Sequence, residues 1–275
     1  MKFQPVIKWS GSKRSQSEEI IKRFPKQIDT YYEPFLGGGS VLFQLMNSDI
    51  EVNYYICSDI NQDLINLWNM IKYEPYVLYK EYEHMWNELN SIDSIEDKKE
   101  YYYNVRKNFN EIRKPEDFMF LSRTCANGLI RFNSKGEFNT PFHFSRPGIH
   151  PNKLYKIIFQ WSDLLNKNNV TFICQDYKNI NPLKEDLIYL DPPYANTKGM
   201  YYGQINYDEL WNWLRKQECK YVLSFDGKTN DKDMTYEVPK DVYNTHEYIY
   251  SGISGFGKIH GKQEYVSESL YIKIK

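Results

Sequence analysis

Asp191-Pro192-Pro193-Tyr194 is the segment of this 275-residue chain whose residue types most narrowly prescribe a chemistry. Two consecutive prolines fix their φ angles and remove two N–H donors, leaving carbonyl acceptors and one carboxylate beside an aromatic ring. Such a cluster suits a flat group that donates hydrogen bonds, as the exocyclic amino group of a nucleobase does. Asp191 and the Pro192 carbonyl would accept its two protons while Tyr194 stacks on the ring. Accepting both turns the nitrogen lone pair out of conjugation and makes it nucleophilic. Taken alone, the four residues also fit an ordinary Pro-Pro turn with Asp191 as a cap.

A second segment, Glu33-Pro34-Phe35-Leu36-Gly37-Gly38-Gly39-Ser40, puts glycines where a strand turns into a helix, so that backbone can approach a ligand closely. The GxGxxG spacing of a dinucleotide site and the Walker GK[ST] are both absent, which disfavours NAD and ATP. Asp59, 22 positions beyond Gly37, is placed to accept from two ribose hydroxyls. Together these residues describe an adenosine-type cofactor without a pyrophosphate. The third segment, Lys8-Trp9-Ser10-Gly11-Ser12-Lys13, could hold a carboxylate and cover a cofactor, or be a frayed basic arm.

The elements that must position these groups follow from hydrophobic patterning. Strand-like runs at 31–35, 53–58, 170–174, 186–190 and 220–225 alternate with helical stretches, as in an α/β protein with a largely parallel sheet. Four of them end at or near Asp59, Asp176, Asp191 and Asp226, where ligands meet open α/β sheets; Asp226 reads instead as a helix cap. Helices are expected over 40–47 and 64–80, and two further strands at 246–250 and 269–274 flank a flexible segment, Ser251–Lys258.

From about 82 to 160 the rhythm gives way to a helical, aromatic insertion. Residues 105–160 carry ten Lys and Arg against four Asp and Glu, net +6, so the chain total of −1 conceals −7 elsewhere. A bipolar molecule with one basic region suits a polyanion. Cys57, Cys125, Cys174 and Cys219 are scattered, without zinc spacing, and read as reduced core thiols. Neither an N-terminal apolar h-region nor a bilayer-length apolar run is present, so a soluble cytoplasmic protein without a membrane partner is expected.

Lys8–Lys13, Pro34–Gly39, Asp59 and Asp191–Tyr194, in this order and with the basic insertion between the last two, resemble the Dam-type (alpha-class, D12) DNA adenine-N6 methyltransferases. Within the insertion, Cys125–Asn133 and Gly136–Phe142 are similar to that family's target-recognition segment. The resemblance implies a Rossmann-like S-adenosylmethionine-dependent methyltransferase fold with a mixed seven-stranded sheet. Residues 1–81 and 161–275 would form the catalytic domain, and 82–160 an inserted, mostly helical target-recognition subdomain. It further implies S-adenosyl-L-methionine on Trp9, Lys13, Phe35, Gly37, Gly39, Asp59, Asp176, Tyr177 and Asp191, with Lys13 on the methionine carboxylate and Asp176 on the adenine amino group. Asp191, Pro192 and Tyr194 are the implied catalytic residues, without a metal. Double-stranded DNA is the implied partner, contacted by Arg123, Asn127, Arg131, Asn133, Asn139 and Pro141, with Arg131 set against guanine. A cognate restriction endonuclease acting on the same site is a second partner that such enzymes take. Arg131 and Asn139–Phe142 match readers of GATC, whereas Ala126 stands where those readers commonly carry an aromatic residue, and an alanine cannot wedge into a duplex. An RNA amino-group methyltransferase and an inactive DNA-binding homologue are the rival readings.

Overall fold

The computed structural model describes residues 4–194, 205–230, 232–253 and 265–274. Its first strand, β1 (Gln27–Glu33), lies earlier than expected because Pro34, which has no N–H for a ladder, ends it. Helix α1 (Ser17–Ile21) precedes it, and the glycine turn then leads into α2 (Ser40–Met46). β2 (Glu51–Asp59) and α3 (Gln62–Tyr73) follow; Asn61 starts α3 by accepting from the Leu64 N–H at 3.0 Å. The single helix expected over 64–80 is two, because Pro75 cannot continue α3 and instead opens α4 (Pro75–Ser91).

The insertion continues through α5 (Ile95–Ile112) and α6 (Pro115–Thr124), then an irregular strap over 125–150, and closes with α7 (Pro151–Lys167). The expected limits at 82 and 160 therefore fall inside α4 and α7. β3 (Val170–Cys174), β4 (Leu187–Leu190), α8 (Tyr207–Arg215), β5 (Lys220–Thr229), the two-residue β6 (Lys232–Asp233), β7 (Thr245–Ile253) and β8 (Tyr265–Lys273) complete the chain. The main sheet runs β3-β2-β1-β4-β5-β8-β7, the seven strands expected, and β6 pairs beside β5 as an eighth. The first five are parallel and the β5, β8 and β7 pairings antiparallel, so the fold is Rossmann-like, with a mixed sheet.

Apolar layers cover both sheet faces. Tyr189 belongs to one layer, while Ile188 and Leu190, its neighbours on β4, belong to the other, the alternation a strand buried on both faces requires. The first layer is continuous with the insertion: Cys57, Trp68 and Phe172 share a core with Leu78, Phe118, Phe138 and Trp161. The insertion is thus packed onto the sheet's own core. Cys57, Cys125 and Cys219 are buried as expected, whereas Cys174, at the open end of β3, is only half-buried. Asp226 caps no helix; it lies buried within β5, which runs on to Thr229. Ser251–Ile253 extend β7, and the remainder of the expected flexible segment lies outside the described residues. Among the described residues, no helix is long and apolar enough to cross a membrane.

Candidate active site and nucleic-acid interface

The chain leaves β1 toward β2 and β3 and returns through β4 on the other side of β1. That reversal opens a crevice at the carboxyl ends of β1 and β4, where open α/β sheets take their ligands. Glu33 ends β1 and Leu190 ends β4, so the glycine turn and Asp191–Tyr194 lie on its two sides.

On the β1 side, Gly37 and Gly39 have φ of +48° and +65°, a region that disfavours side chains, and close packing reinforces the need for glycine. A Cβ on Gly37 would stand 2.8 Å from Trp9 Cδ1, and one on Gly39 would stand 3.0 Å from the Trp68 ring. Trp68 Nε1 donates to the Gly37 carbonyl at 3.0 Å, fixing the turn from below. Asp59, at the end of β2, accepts from the Gly37 N–H at 3.2 Å and the Asn61 N–H at 3.0 Å. Burial pushes this carboxyl up to about 6, against the pull of those N–H groups. Since a carboxylate offers about four acceptor directions, capacity remains for a hydroxyl pair. Phe35 and Tyr177 pair with ring centroids 5.5 Å apart, and Asp176 caps the short turn Tyr177–Asn179 through the Lys178 N–H at 2.8 Å. A close-approach turn, a strand-end carboxylate and an aromatic pair fit an adenosine-type ligand.

On the β4 side, Lys13 Nζ lies 2.8 Å from Asp191 Oδ1, 3.6 Å from Glu268 Oε2 and 4.8 Å from the Tyr194 ring centroid. Lys13 is 5% exposed. Here the protein's own carboxylates take the Lys13 ammonium, since burying it without a counter-charge is costly. Burial likewise raises Asp191 to about 6, with Lys13 pulling it down and Glu268 pushing it up. Tyr194 OH donates to Glu268 Oε2 at 3.2 Å, and Tyr207 OH donates to the Pro193 carbonyl at 2.9 Å. Among the described residues, the Pro192 carbonyl takes no donor, so it and Asp191 are the motif's acceptors. Beneath them Glu33, fully buried, accepts from Tyr31 OH at 2.8 Å and is raised to about 8, first by burial and then by Asp191.

Sequence reasoning assigned no role to Glu33 and none to Glu268 or to Gln16, whose Nε2 donates to Glu268 Oε1 at 3.1 Å. Glu268 had one local signal, an acid inside an otherwise strand-like run whose partner strand contains a glycine, Gly227.

The strap of the insertion is differently built. Isolated bridges join Cys125 to Phe142 and Phe132 to Phe138, while the Ala126 N–H donates to the Pro141 carbonyl and the Asn139 N–H to the Arg131 carbonyl. Asn127 and Gly128 turn the chain with φ of 56° and 63°. Asn127, Arg131, Asn139 and Pro141 are exposed, and the Arg131 guanidinium has no partner among the described residues. Half-buried Asn133 shapes the strap: its Oδ1 accepts from the Lys135 and Glu137 N–H groups. Arg123 corrects the DNA-contact expectation. It is 6% exposed, donates to the carbonyls of Pro5 and Val6, and is held below its ordinary value, at about 10, by burial. Lys8 and Arg146, both half-buried, instead flank Gly128, where a Cβ would stand 3.1 Å from each.

Residues 9–264 match the family described as D12 class N6 adenine-specific DNA methyltransferase. The Type II methyltransferase M.MjaIII of Methanocaldococcus jannaschii is 36% identical over 251 residues, 82% of this chain and 84% of its own. The DNA adenine methylase of Haemophilus influenzae is 34% identical over 203 residues, 71% of this chain and 65% of that protein. The Type II methyltransferase M1.LlaDCHI of Lactococcus lactis subsp. cremoris is 30% identical over 203 residues, 70% of this chain and 66% of that one. Among solved structures, the rRNA methyltransferase AviRa of Streptomyces viridochromogenes aligns over 93% of this chain and 81% of that one, with a TM-score of 0.37 and 12% identity.

Proposed function

The chain belongs to the D12 class N6 adenine-specific DNA methyltransferase family, and from that premise we propose that it transfers a methyl group from S-adenosylmethionine to N6 of an adenine turned out of duplex DNA, within GATC. The observation that carries this reading is the acceptor pair at the switch point: Asp191, with its basicity raised by burial, beside a Pro192 carbonyl to which no described residue donates. The glycine turn, Asp59 and the Phe35–Tyr177 pair support the cofactor, with Asp59 on the ribose, Asp176 on the adenine amino group and Trp9 covering the turn. S-adenosylmethionine supplies an electrophilic methyl group when bound. Asp191 and the Pro192 carbonyl accept the two amino protons of the target, Tyr194 stacks on its ring, and the crevice walls exclude water. Aligning two bound reactants in this way lowers a barrier by up to ~7–11 kcal/mol.

Turning the base out costs a few kcal/mol, which contacts elsewhere must offset. The exposed strap supports that role, with Arg131 matching guanine O6 and N7 at roughly 1–3 kcal/mol of discrimination and Asn127, Asn139 and Pro141 beside it. The Type II names of two relatives support a restriction–modification setting, in which a cognate restriction endonuclease acts on the same site in the cytoplasm.

Purified protein incubated with tritiated S-adenosylmethionine and, separately, duplex DNA and RNA tests the reaction. Label on adenine N6 in DNA alone is expected; label on RNA alone, or none, overturns it. Methylome sequencing of a methylation-free host reads the target directly, and methylated sites other than GATC would remove that part of the proposal.

A further inference from the structure

We propose that Glu268 is a positioning residue for methyl transfer: it is a second seat for the Lys13 ammonium, occupied when the target amino group takes Asp191. This rests on the reading above, in which Asp191 accepts hydrogen bonds from that amino group.

The acceptor is already engaged within the chain itself. Lys13 Nζ sits 2.8 Å from Asp191 Oδ1, one of the two oxygens to which a substrate N–H can donate. An N–H that takes Oδ1 displaces the ammonium, which also donates to the Gly11 carbonyl at 3.2 Å and, at 5% exposure, needs a counter-charge. Glu268 Oε2, 3.6 Å away, lies close enough to receive it after a small side-chain shift.

That carboxylate is fixed from two directions. Gln16 Nε2 donates to Oε1 at 3.1 Å and Tyr194 OH to Oε2 at 3.2 Å. The backbone singles out the same residue. Along β5 and β8, Phe225 pairs with Ser269 and Lys228 with Ser267, so Asp226 and Gly227 together oppose Glu268 alone. Such a bulge re-aims the side chain at its centre. It also leaves no room opposite: a Cβ on Gly227 would stand 2.0 Å from the Ser267 carbonyl oxygen and 2.8 Å from Glu268 Cα. Glu268 is therefore held both by its side-chain partners and by a register shift that requires glycine across from it.

The test is single-turnover methyl transfer by the full chain to a target duplex, compared between the parent and Glu268→Gln. Glutamine keeps the length and an acceptor for Tyr194 OH, and removes the charge together with the acceptor that Gln16 Nε2 uses. With no second seat, Lys13 stays on Asp191, so the transfer rate should fall by about 30-fold while the Kd for the duplex stays within about twofold. In a Lys13→Met background the same substitution should cost no more than about twofold, because the residue acts through the lysine. A Glu268→Gln rate within about threefold of the parent, or equal losses in both backgrounds, overturns the proposal. If thermal melting shows that Glu268→Gln does not fold, Glu268→Asp carries the test: a loss of about fivefold that vanishes in the Lys13→Met background supports the seat, and equal losses overturn it. A parent that transfers no label at all overturns the underlying reading, whereas an active parent with an unaffected Glu268→Gln overturns the seat alone.

Discussion

The switch-point crevice and the strap of the insertion handle charge in opposite ways. In the crevice, Asp191 and Glu268 are both paired with Lys13, and Glu33 is kept neutral beneath them. On the strap, Arg131 is exposed without a partner among the described residues, and Lys8 and Arg146 meet at Gly128, where burial first and then the Arg146 charge lower the Lys8 pKa. A dry site must balance its charges to fold, because buried unpaired ions are costly. A wet surface need not, and its unbalanced cations are what a phosphate backbone recognises. On the proposed reading, the first region serves the chemistry and the second the capture of DNA.

Asp191→Ala should have the largest effect, because it removes an acceptor that nothing nearby replaces. The transfer rate should drop about 10³-fold or more while cofactor binding, measured by calorimetry, survives within a few-fold. A comparable drop in duplex affinity would break the separation of the two regions. Arg131→Ala is the mirror experiment: discrimination against altered sites should fall by about 10–100-fold with the rate on saturating DNA little changed. An unchanged methylation pattern would reduce Arg131 to one more phosphate contact.

Acid should act on the crevice first. Asp191 must be ionised to accept from the amino group, and its carboxyl is raised to about 6, so at saturating cofactor the rate should hold above that pH and fall about tenfold per unit below it. Asp59 titrates in the same range, so at low cofactor the acid limb should steepen; a flat profile down to pH 5 would contradict both assignments. The smallest effect concerns stability. Glu33 is neutral in the folded chain up to about 8 but ionises near 4.5 when unfolded, so the native state loses stability as pH rises between those values. Glu33→Gln should therefore raise the melting midpoint by roughly 4 °C at pH 8 and very little at pH 4.5. A gain of the same size at both pH values would mean that Glu33 is not neutral.

Strands and loops that bear the chemistry were legible in the sequence because their signals are local. Pro34 and three glycines mark the end of β1, Asp59 ends a β-branched and aromatic run, and Asp191-Pro192-Pro193-Tyr194 can stand only where a ladder stops. Helix limits were less legible: the periodicity over 64–80 persisted across Pro75, whose missing N–H outweighed it. Burial of charge was not legible at all. Arg123 lies in a basic stretch like any phosphate contact, and only the fold puts the Pro5 and Val6 carbonyls against it. Lys13 and Glu268 are separated by most of the chain and meet because β8 inserts between β5 and β7.

The Arg123 clasp also has a mechanical consequence. The N-terminal segment that it grips, together with Gln4, whose carbonyl accepts from Trp161 Nε1 at 3.0 Å, is the segment that goes on to deliver Trp9 and Lys13 to the crevice. Insertion and crevice are therefore joined twice, through the shared core and through this short leash. Any tilt of α6 against the sheet pulls on the strand of chain that carries the ammonium, so the strap and the crevice cannot be displaced independently.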